Sequence, residues 1–427
     1  MHGFRNYIYA LVACALAGLA LEVITRTFRP TPPLPDFNEI GWNAVTSPAR
    51  QSPTADPNFV RNTEAEINQL ISRGRRFSPD TGNRIKVLLV GDSQVESAAL
   101  PFGNLPEIEL ERALNAEFGQ FFDVRSIASS GWGQAEQLLA LRRYFADFRA
   151  DYILLWHTPR NDFWENAFPD RSTADRLGPL KPAFVLAPDG LKQFSFEPYK
   201  GDRPGLLAAS HVYRRVHRIA EQAGLFDQPK LLRDFNSLIP PPGGHVKVAR
   251  EKCPNTVVDL AKYAFERSKY GFTPVSIETS EAISSSRSHF SPFLKTLSER
   301  DKYLVDITRA LFGEIDRLAR ANYAKLVVFF SNQTYKDGAH AWVAGSCAVE
   351  SGGWYELADV AERASRTLAD LDVLELNAAH RDISYEEVTV SPSDRHLNEL
   401  GNQLVFRELA AALRRKGLVP APSQIID

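Results

Sequence analysis

Four short stretches of the chain carry residue types that together can do acyl chemistry. "VGDSQ" holds Ser93, "SSGWG" holds Gly131, "RND" holds Asn161, and "DRHLN" holds Asp394 and His396. A serine hydroxyl is a weak nucleophile until a base takes its proton. His396 could take it, and Asp394 could hold the imidazole in the right tautomer. The oxyanion formed on attack needs donors aimed at it. The N–H of Ser93, the N–H of Gly131 and the side-chain amide of Asn161 are three candidates. Gly131 has no side chain to keep its backbone from a substrate. Each residue also has a plainer reading. Asp92 or Ser93 could cap a following helix, which would leave Ser93 as no more than a cap, Asn161 could close a turn, Gly131 and Gly133 could serve turn geometry, and His396 could be a loop histidine. Near Asn161 and Gly131 lie candidate substrate contacts, namely His157, Arg160 and Trp132, with His157 equally readable as a strand-end core residue. Trp132 and Trp164 could form an apolar wall or a sugar-stacking platform, or could be core.

Such a constellation needs elements that bring distant residues to one edge. Ile85 to Val90, "IKVLLV", is a nearly unbroken apolar run ending at Gly91. A run of this kind suits a strand covered on both faces, as in a parallel sheet. Strands are also expected at Phe122–Ile127, Tyr152–Trp156, Lys325–Phe330 and Val373–Leu376. Helical periodicity marks Glu107–Phe118, Ala135–Phe148 and Leu404–Arg415. Strands alternating with helices predict an α/β fold with a mostly parallel five-stranded sheet and helices on both faces. Ser93, Gly131 and Asn161 then follow the ends of the first three strands. In open α/β sheets ligands bind outside the carboxyl ends of the strands. Between the third and fourth strands, about 165–323, lies a helical insertion, read as a lid or substrate wall. Within it, Arg309–Tyr323 has a second reading as the core helix leading into the fourth strand.

The ordered set of motifs resembles the SGNH (GDSL-type) hydrolase family, named for invariant Ser, Gly, Asn and His in four blocks. The blocks appear here as "VGDSQ", "SSGWG", "RND" and "DRHLN", in the family order, over Ile85–Phe163 and Lys325–Arg415. The resemblance implies a flavodoxin-like three-layer α/β domain and a Ser93–His396–Asp394 triad. It implies Ser93, Gly131 and Asn161 as oxyanion donors, and hydrolysis of ester bonds. Two departures stand out. The family's usual Asp-x-x-His is shortened to Asp394-x-His396, as in relatives acting on bacterial polysaccharides. Pro159 and Arg160 stand where a Gly often precedes the Asn. With the apolar N-terminus described next, the resemblance implies deacylation, with acetyl as the expected group, of an envelope or exported polysaccharide. O-acyl transfer with the same triad and a non-catalytic polysaccharide-assembly role are the alternatives. The missing Gly-x-Ser-x-Gly elbow (Val95 follows Gln94) disfavours an α/β-hydrolase of the elbow type.

The chain has 427 residues, 44% of them hydrophobic, and a formal net charge of -2. That balance gives no case for nucleic acid as a partner. No His-Glu-x-x-His motif occurs, and the cysteines lack metal-ligand spacing, so neither metal nor other cofactor is expected. Tyr7–Ile24 is apolar except for Glu22 and is about long enough to span a bilayer core. It reads as an uncleaved anchor over a signal peptide, whose apolar core is usually shorter. "LVAC" resembles a lipobox, but the apolar run continues past Cys14. A short N-terminal tail favours export of the bulk to the extracytoplasmic, periplasmic side. The chain thus divides into an anchor over 1–28, a Pro-rich spacer over 29–80, and a hydrolase domain with its insertion over 81–427. Outside the cytoplasm Cys253 and Cys347 could pair; two unrelated thiols are the other reading.

Overall fold

In the computed structural model the described residues are 17–24, 27, 40, 73–77, 83–119, 121–167, 169, 181–194, 210, 212, 216, 235, 237–240, 297, 299–331, 358–376, 381–390 and 396–419. The first strand, β1 (Ile85–Gly91), runs straight into a single helical turn, α1 (Ser93–Glu96). There follow α2 (Pro106–Phe118), β2 (Phe122–Ala128), α3 (Gln134–Phe148), β3 (Tyr152–Trp156) and α4 (Pro159–Ala167). After a hairpin of β4 (Ala183–Ala187) and β5 (Gly190–Phe194) come the long helix α5 (Glu299–Ala321) and β6 (Lys325–Ser331). The chain closes with α6 (Ala358–Thr367), β7 (Val373–Leu376), α7 (Tyr385–Val388) and α8 (Glu399–Arg415).

The main sheet has five strands in the order β2-β1-β3-β6-β7, and all its pairings are parallel. Counted along the chain this is the doubly wound order 2-1-3-4-5, whose direction of winding reverses between β1 and β3. The sequence dictates why both faces must be covered. Val87, Leu88, Leu89 and Val90 are each at most 1% exposed, so side chains of both parities are buried. Leu88 and Val90 pack with Leu138 of α3 and Ile307, Leu311 and Phe312 of α5. Val87 and Leu89 pack on the opposite face with Leu110 and Leu114 of α2 and Val405, Phe406 and Leu409 of α8. Burying each such side chain stabilises the fold by about 1.5–3 kcal/mol.

Within the 165–323 region, read from sequence as a helical insertion, the structure also places a β-hairpin. The β4–β5 hairpin is antiparallel, with Ala187 opposite Gly190 and Pro188–Asp189 as its two-residue turn. Ala183, Phe184 and Val185 bury into the core on the α3–α5 face. At the other end of the region, α5 is continuous from Glu299 to Ala321 and packs against α3, α4 and β6. It is the crossover helix between β3 and β6, so of Arg309–Tyr323 the part to Ala321 is the core helix leading into the fourth strand, while Tyr323 is exposed. Most of the rest of the insertion, most of the Pro-rich spacer, all three cysteines and most of Tyr7–Ile24 lie outside the described residues. Residues 17–24 are helical, with Leu19, Leu21, Val23 and Ile24 exposed. Glu22 there accepts hydrogen bonds from Ser210 Oγ (2.8 Å) and Val212 N (3.0 Å). Among the described residues no helix is long and apolar enough to cross a membrane.

Candidate active site

Between Val87 and Ser97 every residue is buried except Ser93, which is partly exposed. β1 ends at Gly91, and Asp92 caps α1 by accepting from Gln94 N at 2.9 Å. Of the two expected cap candidates, Asp92 is the cap, and the reading of Ser93 as only a cap is corrected. Ser93 is the first residue of the turn, where a helix leaves its N–H groups without intrahelical partners. Among the described residues its N–H and its Oγ take no partner. The turn's far end is held by Arg73, whose Nη1 donates to Ser97 O at 2.6 Å and whose Nη2 donates to Leu100 O.

The other motifs attach to the residues flanking Ser93. Asn161 lies in the first turn of α4, after β3, and its Nδ2 donates to Asp92 Oδ2 at 3.3 Å. Leu397, next to His396, donates its N–H to Gln94 Oε1 at 3.3 Å, across 303 positions of sequence. Ser130, next to Gly131, donates both its N–H (2.7 Å) and its Oγ–H to Glu96 Oε2. Asp92, Gln94 and Glu96 thus each hold one of the other three motif stretches. β1 and β3 flank the point where the sheet's winding reverses, so Ser93 and Asn161 stand at the crevice expected to take a ligand.

His396 is partly exposed, and its carbonyl accepts from Val390 N at 2.9 Å. A bridge between Thr389 and Leu397 pins the same loop. Burial pushes the Asp92 carboxyl up to about 6, and the charge of Asp162 adds to the rise. The Gln94 N–H, the charge of His396 and the Asn161 amide oppose it. His396 is therefore close enough for its charge to be felt at Asp92, beside Ser93. Asp394 lies outside the described residues. Gly131 is buried with φ +77°, a left-handed conformation suited to glycine, and its N–H has no hydrogen-bond partner among the described residues.

Two expected substrate contacts are corrected. Trp132 is 2% exposed and packs in the core with Ala135 and Leu138, so it offers no platform to solvent. His157 is fully buried, edge-on to Phe163 and Phe312, and its Nδ1 lies 2.7 Å from Asp162 Oδ2. Trp164, also buried, packs against Leu304. The backbone of Arg160 sits in α4 beside Asn161.

The sequence reading missed the polar residues that hold the candidates in place. Asp162 Oδ2 accepts from Gln134 Nε2 (2.6 Å) and Thr158 N (2.9 Å) and lies 2.7 Å from His157 Nδ1. Asn166 Nδ2 donates to Gln134 Oε1 (2.7 Å) and Thr308 Oγ1 (3.0 Å), and its Oδ1 accepts from Ala135 N (3.3 Å). α3, α4 and α5 are locked together beneath the candidate site. The one available signal was adjacency, since Asp162 follows Asn161 and Gln134 follows the glycine turn.

Fold and site define a class: a doubly wound α/β domain with a partly exposed serine at the winding reversal, tied to an asparagine and to a histidine-bearing loop. No family model matches the chain, and no curated protein matches it. Among solved structures it is similar to the crystal structure of the lipase Lip_vut3 from goat rumen metagenome. Identity is 10%, coverage is 77% of this chain and 97% of that chain, and the TM-score is 0.35. A likeness of that size assigns neither reaction nor substrate.

Proposed function

We propose that the chain is a serine esterase of the SGNH type that deacylates an envelope or exported polysaccharide from the outer face of a membrane. The observation that carries the reading is the set of hydrogen bonds gathering the Asn161, His396 and Gly131 stretches onto Asp92, Gln94 and Glu96 around Ser93. The Tyr7–Ile24 run and the spacer behind it support the location, and the shortened Asp394-x-His396 spacing supports a polysaccharide over a lipid ester.

In this reading Ser93 Oγ attacks the acyl carbonyl carbon while His396 takes its proton. Asp394 orients the imidazole and stabilises the imidazolium. The carbonyl oxygen becomes an anion that accepts from the N–H groups of Ser93 and Gly131 and from Asn161 Nδ2. One Nδ2 hydrogen is spent on Asp92, which aims the amide; the other points at the oxyanion. Collapse breaks the ester C–O bond, and His396 returns its proton to the leaving sugar oxygen. Water then attacks the acyl-enzyme with His396 again as base, releasing the acid and restoring Ser93. Steady-state kinetics on a small acetyl ester test the reading, with circular dichroism as the folding control. Ser93→Ala should abolish turnover with the fold intact. Full activity in a folded Ser93→Ala protein overturns it. Turnover stimulated by an oligosaccharide acceptor, with acyl transferred to it, would make the protein an acyltransferase instead.

A further inference from the structure

A second cluster of charged groups lies wholly buried behind the Gly131 turn. Glu136, in the first turn of α3, accepts from Gly133 N through Oε2 at 3.1 Å. Its other oxygen, Oε1, is 2.6 Å from Lys181 Nζ. Lys181 is 1% exposed and leads into β4, with its own N–H donating to Pro169 O at 2.7 Å. Glu165 Oε2 of α4 stands 3.5 Å from the same Nζ. A buried ion pair adds little net stability compared with a well-packed apolar replacement. Its worth here is geometric, because it fixes a carboxylate that holds the turn.

We propose that Lys181 is a positioning residue for the Gly131 turn. It orients Glu136, which pins Gly133 N–H two residues beyond the candidate oxyanion donor, and so makes the hairpin segment part of the site. The proposal rests on the esterase reading. It gives the β3–β6 insertion a mechanical role, since the contact reaches the turn from outside the sheet. Glu136 thus lies between Gly133 N–H and the Lys181 ammonium, so protonation of its carboxyl weakens the ion pair. Burial pushes the Glu136 carboxyl up to about 7, with Lys181 opposing and Glu165 adding, which puts that weakening near neutral pH.

The experiment measures the rate at which a fluorophosphonate labels Ser93, together with kcat and KM on a small acetyl ester. Lys181→Met should lower the labelling rate and kcat about tenfold or more, with KM within about twofold, the pattern of a lost transition-state interaction. Lys181→Met strands a buried charge and could fail to fold. The double variant Lys181→Met/Glu136→Gln removes that charge and keeps an amide oxygen for Gly133 N–H, so it should label within about threefold of the unmodified protein. A folded Lys181→Met that labels at the unmodified rate overturns the proposal, as does a folded double variant that stays tenfold slow. Either result leaves the esterase reading standing. Absence of Ser93 labelling in the unmodified protein overturns both.

Discussion

Asp92 carries more of the arrangement than its place beside Ser93 announces. Its Oδ1 caps α1, its Oδ2 takes the Asn161 amide, and the charge of His396 acts on it. Burial holds its carboxyl up at about 6, above the 3.8 of an unperturbed aspartate. The folded state therefore binds that proton more tightly than the unfolded state. The stabilisation this gives is complete below pH 3.8 and is lost as the pH rises through about 6. Asparagine caps a helix as well as aspartate does but does not titrate. Urea denaturation should then show Asp92→Asn gaining stability relative to the unmodified protein between pH 4.5 and 7.5. A difference that stays flat across that range would mean Asp92 does not titrate there. Asn161→Ala is the complementary test at this scale. Losing one oxyanion donor should lower kcat on an acetyl ester by roughly 10²–10³. KM should move little, because that donor matters most once charge has developed on the oxygen. An unchanged kcat would remove Asn161 from the mechanism and leave its bond to Asp92 as its role.

The elements meet at Gly133, where α4 comes down on the start of α3. A Cβ on Gly133 would stand 2.5 Å from Asn166 Oδ1 and 3.1 Å from Glu165 Cβ. Asn166 cannot step aside cheaply, since Gln134, Ala135 and Thr308 all hold it. Gly133→Ala should therefore cost about 1–3 kcal/mol by overpacking, read from denaturant unfolding. It should also slow turnover by shifting the turn that carries Gly131. Gly313, inside α5, has nothing within 4 Å of where its Cβ would lie. Gly313→Ala should add about 0.5–1 kcal/mol from helix propensity, separating packing from a general effect of added methyls. Equal stability of the two variants would show that α3 and α4 do not meet as tightly as the geometry requires.

For the whole molecule, membrane attachment and the reach of the insertion are what remain to be tested. Tyr7–Ile24 is apolar enough that burial in lipid, not charge, would hold the chain. The full-length protein should stay with membranes through a high-salt wash, while a protein beginning near Asp56 should be soluble. Recovery of the full-length chain as a cleaved, soluble species would favour a signal peptide. Much of the sheet was legible without coordinates. Runs such as "VLLV", "YILLW" and "LVVFF" are buried on both faces and need no partner to be recognised, and the alternation with amphipathic helices predicted parallel pairing. Ser93, Gly131, Asn161 and His396 were legible as types at strand ends. The β4–β5 hairpin was present in the sequence as Pro188–Asp189–Gly190 between apolar residues, a turn signal outweighed by the helical stretches around it. The supporting network was not legible, because a lone Glu136, Lys181 or Asp162 reads as a solvated charge until packing excludes water from it. The sequence alone determined the five strands of the main sheet and the candidate chemistry, because both are local patterns of residue type. Tertiary structure alone decided that Asp92, Gln94 and Glu96 hold the other three stretches, that Trp132 and His157 are core, and that Lys181 reaches Glu136. Those facts depend on which residues, up to 303 positions apart, a parallel sheet brings to one edge.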